Sequence, residues 1–448
     1  MVIAFAQPQQ ATLVAFRGSL IDFVDDPFYT TEQDSVRYIA DGLLVVEQGF
    51  VREVGSFDRL HSQYSQIPIT DYSGKLLTPG LIDLHIHFPQ TEMIAAHGEQ
   101  LLEWLEQYTF PVERKFQDSA YAEQVAEIFI TELLRNGTTT AVVLASVHPE
   151  SVNAVFEAAD RHHLRLIAGK VMMDRNAPDF LTDTADSSYY DSKALIERWH
   201  GQGRSLYAIT PRFAPTSTPA QLHLASKLLN EYPGTYLHTH LSENVNEIAW
   251  VRRLFPESQG YLDVYDRAGL VGDRSIFAHC IHLTDAEFQR LSEAKAAIAF
   301  CPTSNLFLGS GLFKLTHAKS TECPIQVGLA TDVGGGTSFS LLQTANEAYK
   351  VVQLQQQTLS PFQALFLATL GGARALGLED KIGSFAVGNE ADFIVLDARS
   401  TPLMAFRNPA ISPSSLSELA DRLFSLLIMG DDRAVKATYS MGKLVYGG

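Results

Sequence analysis

From residue 81 onward the chain alternates short, almost wholly apolar runs with longer segments of helical periodicity. The runs are "LIDLHIH" at 81, "TTTAVVLAS" at 138, "LRLIAGKVMM" at 164, "LYAITPRFA" at 206, "TYLHTHLSE" at 235, "SIFAHCIHL" at 275, "AAIAFCPTS" at 296 and "PIQVGLATDV" at 324. A strand that is apolar at nearly every position is buried on both faces, as in a parallel sheet covered by helices. Intervening stretches such as "SAYAEQVAEIFITELLRNG" supply those helices, this one closing on Gly137 as a helix terminus should. Eight strand–helix units over about 300 residues predict a closed (β/α)₈ barrel of the TIM type, in the α/β class, rather than an open sheet.

Both ends of the chain read differently. Residues 11 to 75 alternate in short strands, with a turn expected at Asp41-Gly42 inside "YIADGLLVVEQGFVREVGSF". Near the other end, "SPFQALFLATLGGARALGL" is expected to form one amphipathic helix, after which strands return at "GSFAVGNEADFIVLD" and "AVKATYSMGKLVYGG". The segment "STPLMAFRNPAISPSSLSELA" reads as a surface loop followed by a helix. The economical arrangement is a small β-sandwich built from residues 1–75 and 385–448, flanking a barrel over residues 76–384.

Composition narrows the function classes. Hydrophobic residues make up 46% and charged residues 19% of 448, the balance of a soluble globular chain. A formal charge of −17 without a basic stripe disfavours nucleic acid. Cys280, Cys301 and Cys323 form no CxxC pair, so neither a disulfide framework nor a thiolate zinc site is expected. The opening "MVIAFAQPQQ" lacks a basic n-region and no apolar run reaches the roughly 18 residues of a membrane span, which leads to an expected cytoplasmic location.

Polar residues then stand out where barrel strands end. Alternation along a strand points His85 and His87 to one face, with Cα atoms about 6.6 Å apart, close enough to converge on one ion. His240 ends the fifth strand, with Glu243 three residues on; His279 ends the sixth and Asp332 the eighth. Catalytic groups of such barrels gather at the C-terminal strand ends. Imidazoles with a carboxylate suit zinc or iron rather than magnesium or calcium, so His85, His87, His240 and Asp332 form the candidate ligand set. A cation so bound brings a water's acidity towards neutral pH. Glu243 is placed to take that water's proton and pass it on. His279 stands as a further ligand or as a donor orienting the water, and spacing leaves both open. The fourth strand supplies no lysine for bridging two metals, and Lys170 on the third reads as a salt-bridged core-edge residue, so one metal is expected. His238 reads as a packed, hydrogen-bonded core residue. His97, His148, His162, His163, His282 and His317 read as surface positions. "HGE" at 97–99 mimics half of a small zinc-deaminase signature whose PCxxC partner is missing.

With "PGLIDLHIH", "HTHLSEN", "AHCIHL", "FCPTSN", "ATDVGGG" and "GNEADFIVLD" in this order, the chain resembles the amidohydrolase superfamily over nearly its whole length. Within it the likeness is to the guanine deaminase family, on "HIHFPQ" with Gln90, "GKVMMD" at 169–174 and "PRFAPTSTPAQL" with Arg212-Phe213. The resemblance implies hydrolysis of guanine to xanthine and ammonia with one zinc ion (iron being the other metal the ligand set admits) on His85, His87, His240 and Asp332. It further implies Glu243 as proton shuttle, Asp332 steering a proton to the departing amine and His279 holding the water. Gln90, Arg212 and Phe213 would read the purine, with His240, Glu243 and His279 also facing it. A homodimer is implied as well. Phe88-Pro89 stands where the family has smaller residues. Rival readings keep the same metal set: a deaminase of pterins, cytosine, adenosyl-homocysteine or triazines, or a cyclic-amide hydrolase. A barrel that has lost catalysis and serves as a scaffold is opposed by the filling of every ligand position.

Overall fold

The computed structural model describes residues 13–98 and 100–447. Residues 1–10, quoted above for their lack of a leader signature, and Glu99 of the 97–99 tripeptide lie outside the described residues.

The terminal strands are β1 (Leu13–Phe23), β2 (Val36–Glu47), β3 (Phe50–Ser56) and β4 (Ile69–Pro79). The barrel strands are β5 (Leu81–His87), β6 (Thr138–Leu144), β7 (Arg165–Gly169), the two-residue β8 (Val171–Met172), β9 (Ser205–Pro211), β10 (Tyr236–Leu241), β11 (Ser275–His279), β12 (Ala297–Phe300) and β13 (Gln326–Leu329). Strands β14 (Phe393–Leu396), β15 (Val435–Ser440) and β16 (Lys443–Gly447) return to the terminal unit.

The eight long barrel strands pair in parallel in the order β5-β6-β7-β9-β10-β11-β12-β13, with β8 alongside β9. The ring closes just beyond β13, where the Asp332 N–H donates to the His85 carbonyl (2.9 Å) and the His87 N–H to the Val333 carbonyl (2.8 Å). The closure brings two histidines at the end of the first barrel strand beside an aspartate after the last. The strand residues are buried almost throughout, which accounts for their continuous apolar sequence.

The terminal β-unit is one continuous sheet in the order β16-β15-β14-β4-β1-β2-β3. It curls over its own core: Phe16 and Phe393 lie two strands apart, yet their ring centroids are 4.8 Å from each other, and Tyr439 stacks on Phe393 at 4.4 Å. This cluster, with Leu20, Leu44 and Leu77, is separate from the barrel core.

Two local expectations are corrected. Asp41-Gly42 lies inside the unbroken strand β2, and the chain turns at Gln48-Gly49, where both residues have positive φ (54° and 91°) as a two-residue hairpin requires. Gly42 is glycine for space: a Cβ there would lie 2.6 Å from a methyl of Leu20, beside the register shift in β1. The segment at 360–378 forms two helices, Pro361–Leu367 and Leu370–Ala375. The break at Thr369 frees the Ala368 carbonyl, which accepts the N–H of Ile82 at the start of β5 (2.8 Å). Among the described residues no helix is long and apolar enough to cross a membrane.

Candidate active site and metal centre

Each sequence-predicted polar residue sits at or just past a barrel strand end, and all of them but the fully buried His85 line one cavity. His85 and His87 end β5, Arg212 and Phe213 follow β9, His240 lies near the end of β10 with Glu243 just beyond, His279 ends β11, and Asp332 follows β13. The backbone is under strain here. Ser242, His279, Cys280 and Asp332 have φ of 51°, 69°, 53° and 50°, a left-handed conformation that costs a non-glycine residue about 1–3 kcal/mol and persists where the surroundings enforce it.

The ring nitrogens converge. His85 Nε2 and His87 Nε2 lie 3.2 and 3.4 Å from Asp332 Oδ1, and His87 Nε2 lies 3.2 Å from His240 Nε2. Neighbouring groups set the tautomers. The Nδ1–H of His240 donates to the Arg212 carbonyl (2.7 Å), leaving a lone pair on Nε2 facing the cluster. Burial first, and then the neighbouring imidazoles and Arg212, push His87 and His240 well below the ordinary histidine range; burial, His279 and Arg212 do the same for His85. All three are therefore neutral at physiological pH, the form that binds metals. His85 Nε2 is buried without a hydrogen-bond partner among the described residues. An unpartnered buried nitrogen and neutral imidazoles, with candidate ligand atoms grouped as His85, His87 and Asp332 and as His85, His240 and His279, fit a divalent cation such as zinc or iron.

His238, two residues before His240, is fully buried and lies with its Nε2 2.7 Å from His85 Nδ1. It is a core residue, as expected, and it also holds His85. Beneath the cluster, Asp83 accepts the backbone N–H groups of His85 (3.2 Å) and Thr331 (3.1 Å) and the Thr331 hydroxyl, tying β5 to the segment after β13.

Glu243 is buried and pushed up to about 7 by desolvation, against the pull of His279. Its Oε1 accepts from Ser310 Oγ (3.2 Å), and its Oε2 lies 3.5 Å from His279 Nε2. Its backbone N–H donates to Glu247 Oε2 (3.0 Å), so the helix start at Asn244 fixes the loop that carries it. The Nδ1 of His279 lies 2.8 Å from Asn305 Oδ1, turning Nε2 towards Glu243 and Asp332 Oδ2 (3.8 Å). Burial lowers its proton affinity, but those two carboxylates and Asn305 outweigh burial and raise it overall.

The same cavity is lined by Gln90, Arg212 and Phe213, with Trp104, Leu101, Leu105 and Leu308 adding apolar surface. Sequence reasoning missed Glu113, which is fully buried and paired with Arg212 (2.8 Å) and Gln90 (3.3 Å). A glutamate in "FPVERKF" carries no signal of such a role. It also missed Asn305 and Ser310, although Asn305 lies within the quoted "FCPTSN". Lys170 is fully buried in an ion pair with Asp183, away from the cluster. Of the histidines expected at the surface, His97 and His163 are exposed, whereas His148, His162, His282 and His317 are half-buried, His282 Nε2 donating to the Ser310 carbonyl (2.8 Å).

Comparison with known proteins agrees with this architecture. The amidohydrolase family pattern matches residues 76–445. The chain is 55% identical to the guanine deaminase of Escherichia coli strain K12 over 439 residues, 97% of this chain and 98% of that one. The solved E. coli guanine deaminase structure superposes with a TM-score of 0.92 at 54% identity, covering 98% and 100% of the two chains. The structure of guanine deaminase from C. acetobutylicum with bound guanine in the active site gives 0.86 at 31% identity, over 97% and 100%. The chain belongs to the amidohydrolase family.

Proposed function

We propose that the chain deaminates guanine hydrolytically, releasing xanthine and ammonia, with one zinc ion held by His85, His87, His240 and Asp332. The observation that carries this reading is the shared cavity: His87, His240 and Asp332 of the imidazole–carboxylate cluster line it together with Glu243 and with Gln90 and Arg212, two hydrogen-bond donors suited to a purine edge. The names of the relatives above point to the same base.

A zinc ion bound by these four residues supplies a water acidic enough to ionise near neutral pH. The remaining steps belong to the chain. Glu243, whose carboxylate burial pushes up, would accept a proton from the attacking water as its oxygen bonds to the carbon bearing the amine, and deliver it to the adjacent ring nitrogen. His279, held by Asn305 and facing both carboxylates, orients the water. Asp332 would carry the remaining proton of the added hydroxyl to the amine, so that the C–N bond breaks, ammonia leaves and the new C–O bond becomes the product's carbonyl. Arg212 and Gln90 donate to the purine while Phe213 forms part of the base pocket, so an analogue lacking the matching acceptor leaves buried donors unpaired. The reading retains a barrel domain over 76–384 flanked by a terminal unit, a cytoplasmic location and a homodimer, the last open to test by sedimentation.

Ammonia release by zinc-loaded protein against guanine, adenine, cytosine, a pterin and a triazine tests the assignment. Guanine is expected to dominate, and a stronger preference for any of the others would replace it.

A further inference from the structure

We propose that Glu113 is a positioning residue that sets the hydrogen-bonding polarity of the base-binding wall and thereby its preference for guanine. This rests on the proposed function. Glu113 ends the short helix Phe110–Glu113, is fully buried, and lines no part of the cavity. Its carboxylate stands directly behind the two residues that do.

An ionised carboxylate only accepts hydrogen bonds, so every polar group bonded to it must present a donor. The Nη1 of Arg212 lies 3.0 and 2.8 Å from the two oxygens of Glu113, and both residues are almost completely shielded from water. The carboxylate is thus the counter-ion of a buried guanidinium. Arg212 Nε and Nη2 meet no protein acceptor among the described residues, and Arg212 lines the cavity, which leaves these donors for a ligand. The same helix supplies Phe110, whose ring centroid lies 5.7 Å from the guanidinium carbon.

Gln90 is fixed by the same group. Its Nε2 donates to Glu113 Oε1 (3.3 Å) and its Oε1 accepts the Gly334 N–H (3.1 Å). A reversed amide would set oxygen against carboxylate and nitrogen against N–H, so the carboxylate selects one orientation. The second N–H of Gln90 Nε2 remains for a ligand, while its Oε1 is turned to Gly334 and keeps one lone pair there. The wall therefore presents mainly donors, from Arg212 and from Gln90 Nε2. That pattern matches a purine edge bearing a carbonyl and opposes one bearing an amine at the same place. With the carboxylate made neutral, Gln90 can turn its oxygen to the cavity and Arg212 is free to shift.

Ammonia release from guanine and from 2,6-diaminopurine, which keeps the amine to be removed but replaces the carbonyl by a second amine, tests this on zinc-loaded wild type, Glu113→Gln, Glu113→Asp, Arg212→Ala and the Glu113→Gln/Arg212→Ala double variant, with metal content measured for each. Glu113→Gln is expected to lose about 10²-fold in kcat/KM on guanine, mainly through KM, with metal content unchanged. Its preference for guanine over 2,6-diaminopurine should shrink by about tenfold or more, and Glu113→Asp should restore part of it. Because Glu113 acts through both Arg212 and Gln90, Glu113→Gln should cost less on guanine in the Arg212→Ala background than in wild type, so that the double variant loses less than the product of the single losses. Where Glu113→Gln, with its buried cation unbalanced, fails to fold, the selectivity of Glu113→Asp against wild type decides instead. An equal loss on both bases, unchanged selectivity, or a double variant whose loss is the product of the single losses would overturn the inference. A wild type inactive on guanine would overturn the proposed function and this inference together, whereas an active wild type beside an unaltered Glu113→Gln overturns this inference alone.

Discussion

His85 Nδ1 and His238 Nε2 lie 2.7 Å apart, a hydrogen bond between two fully buried imidazoles. Donation from His85 commits its Nδ1 proton to His238 and leaves the Nε2 lone pair for a cation. Partners that orient a ligand in this way are typically worth about 10–100-fold in metal affinity. His238→Ala should therefore weaken zinc binding by that factor in chelator competition while the barrel stays folded. Unchanged affinity would make the contact mere packing.

Glu243→Gln keeps the shape of the side chain and its bond to Ser310 but removes the base. Turnover should fall about 10²–10⁴-fold while zinc stoichiometry and thermal stability hold. Ammonia release and elemental analysis on the same preparation check this, and near-wild-type turnover would remove Glu243 from the mechanism.

The pH dependence follows from the same residue. Burial pushes Glu243 up to about 7, and the base works in its ionised form. As pH falls the carboxylate is protonated, so kcat/KM should fall on the acid side, about tenfold per pH unit. A bound cation favours the ionised form, so in the loaded enzyme the limb should lie at or below about 7. Absence of that limb from the wild-type profile on guanine would contradict the assignment.

The barrel was legible because its strands are buried on both faces and so leave uninterrupted apolar runs, and the metal cluster because its members must sit where those runs end. His85, His87, His240 and Asp332 thus announce themselves by position, as do Glu243 and His279. Glu113 does not: it comes from a short helix between strands and gains its setting from a contact with Arg212, 99 residues away. The turn at Gln48-Gly49 was masked by an Asp-Gly pair that looks like a stronger turn signal but answers a steric demand from Leu20. The break at Thr369 goes with a tertiary hydrogen bond from the Ile82 N–H to the Ala368 carbonyl that no local pattern carries.

Lys170 supplies a test of the single-ion reading. It is buried in an ion pair with Asp183, which also accepts from Ser188 Oγ (3.1 Å) and keeps some contact with water. Lys170→Met should destabilise the fold by about 3 kcal/mol, the low end for breaking a buried pair, and leave zinc content and the metal site unaltered. Denaturant unfolding with metal analysis checks both parts. Loss of metal in a stably folded variant would instead place the lysine in the centre.

Anomalous diffraction at the zinc edge from crystals of the zinc-loaded protein tests the central claim most directly. One peak should stand between His85 Nε2, His87 Nε2, His240 Nε2 and the Asp332 carboxylate, beside Glu243. Two peaks, or one held elsewhere while these four side chains remain uncoordinated, would contradict the account.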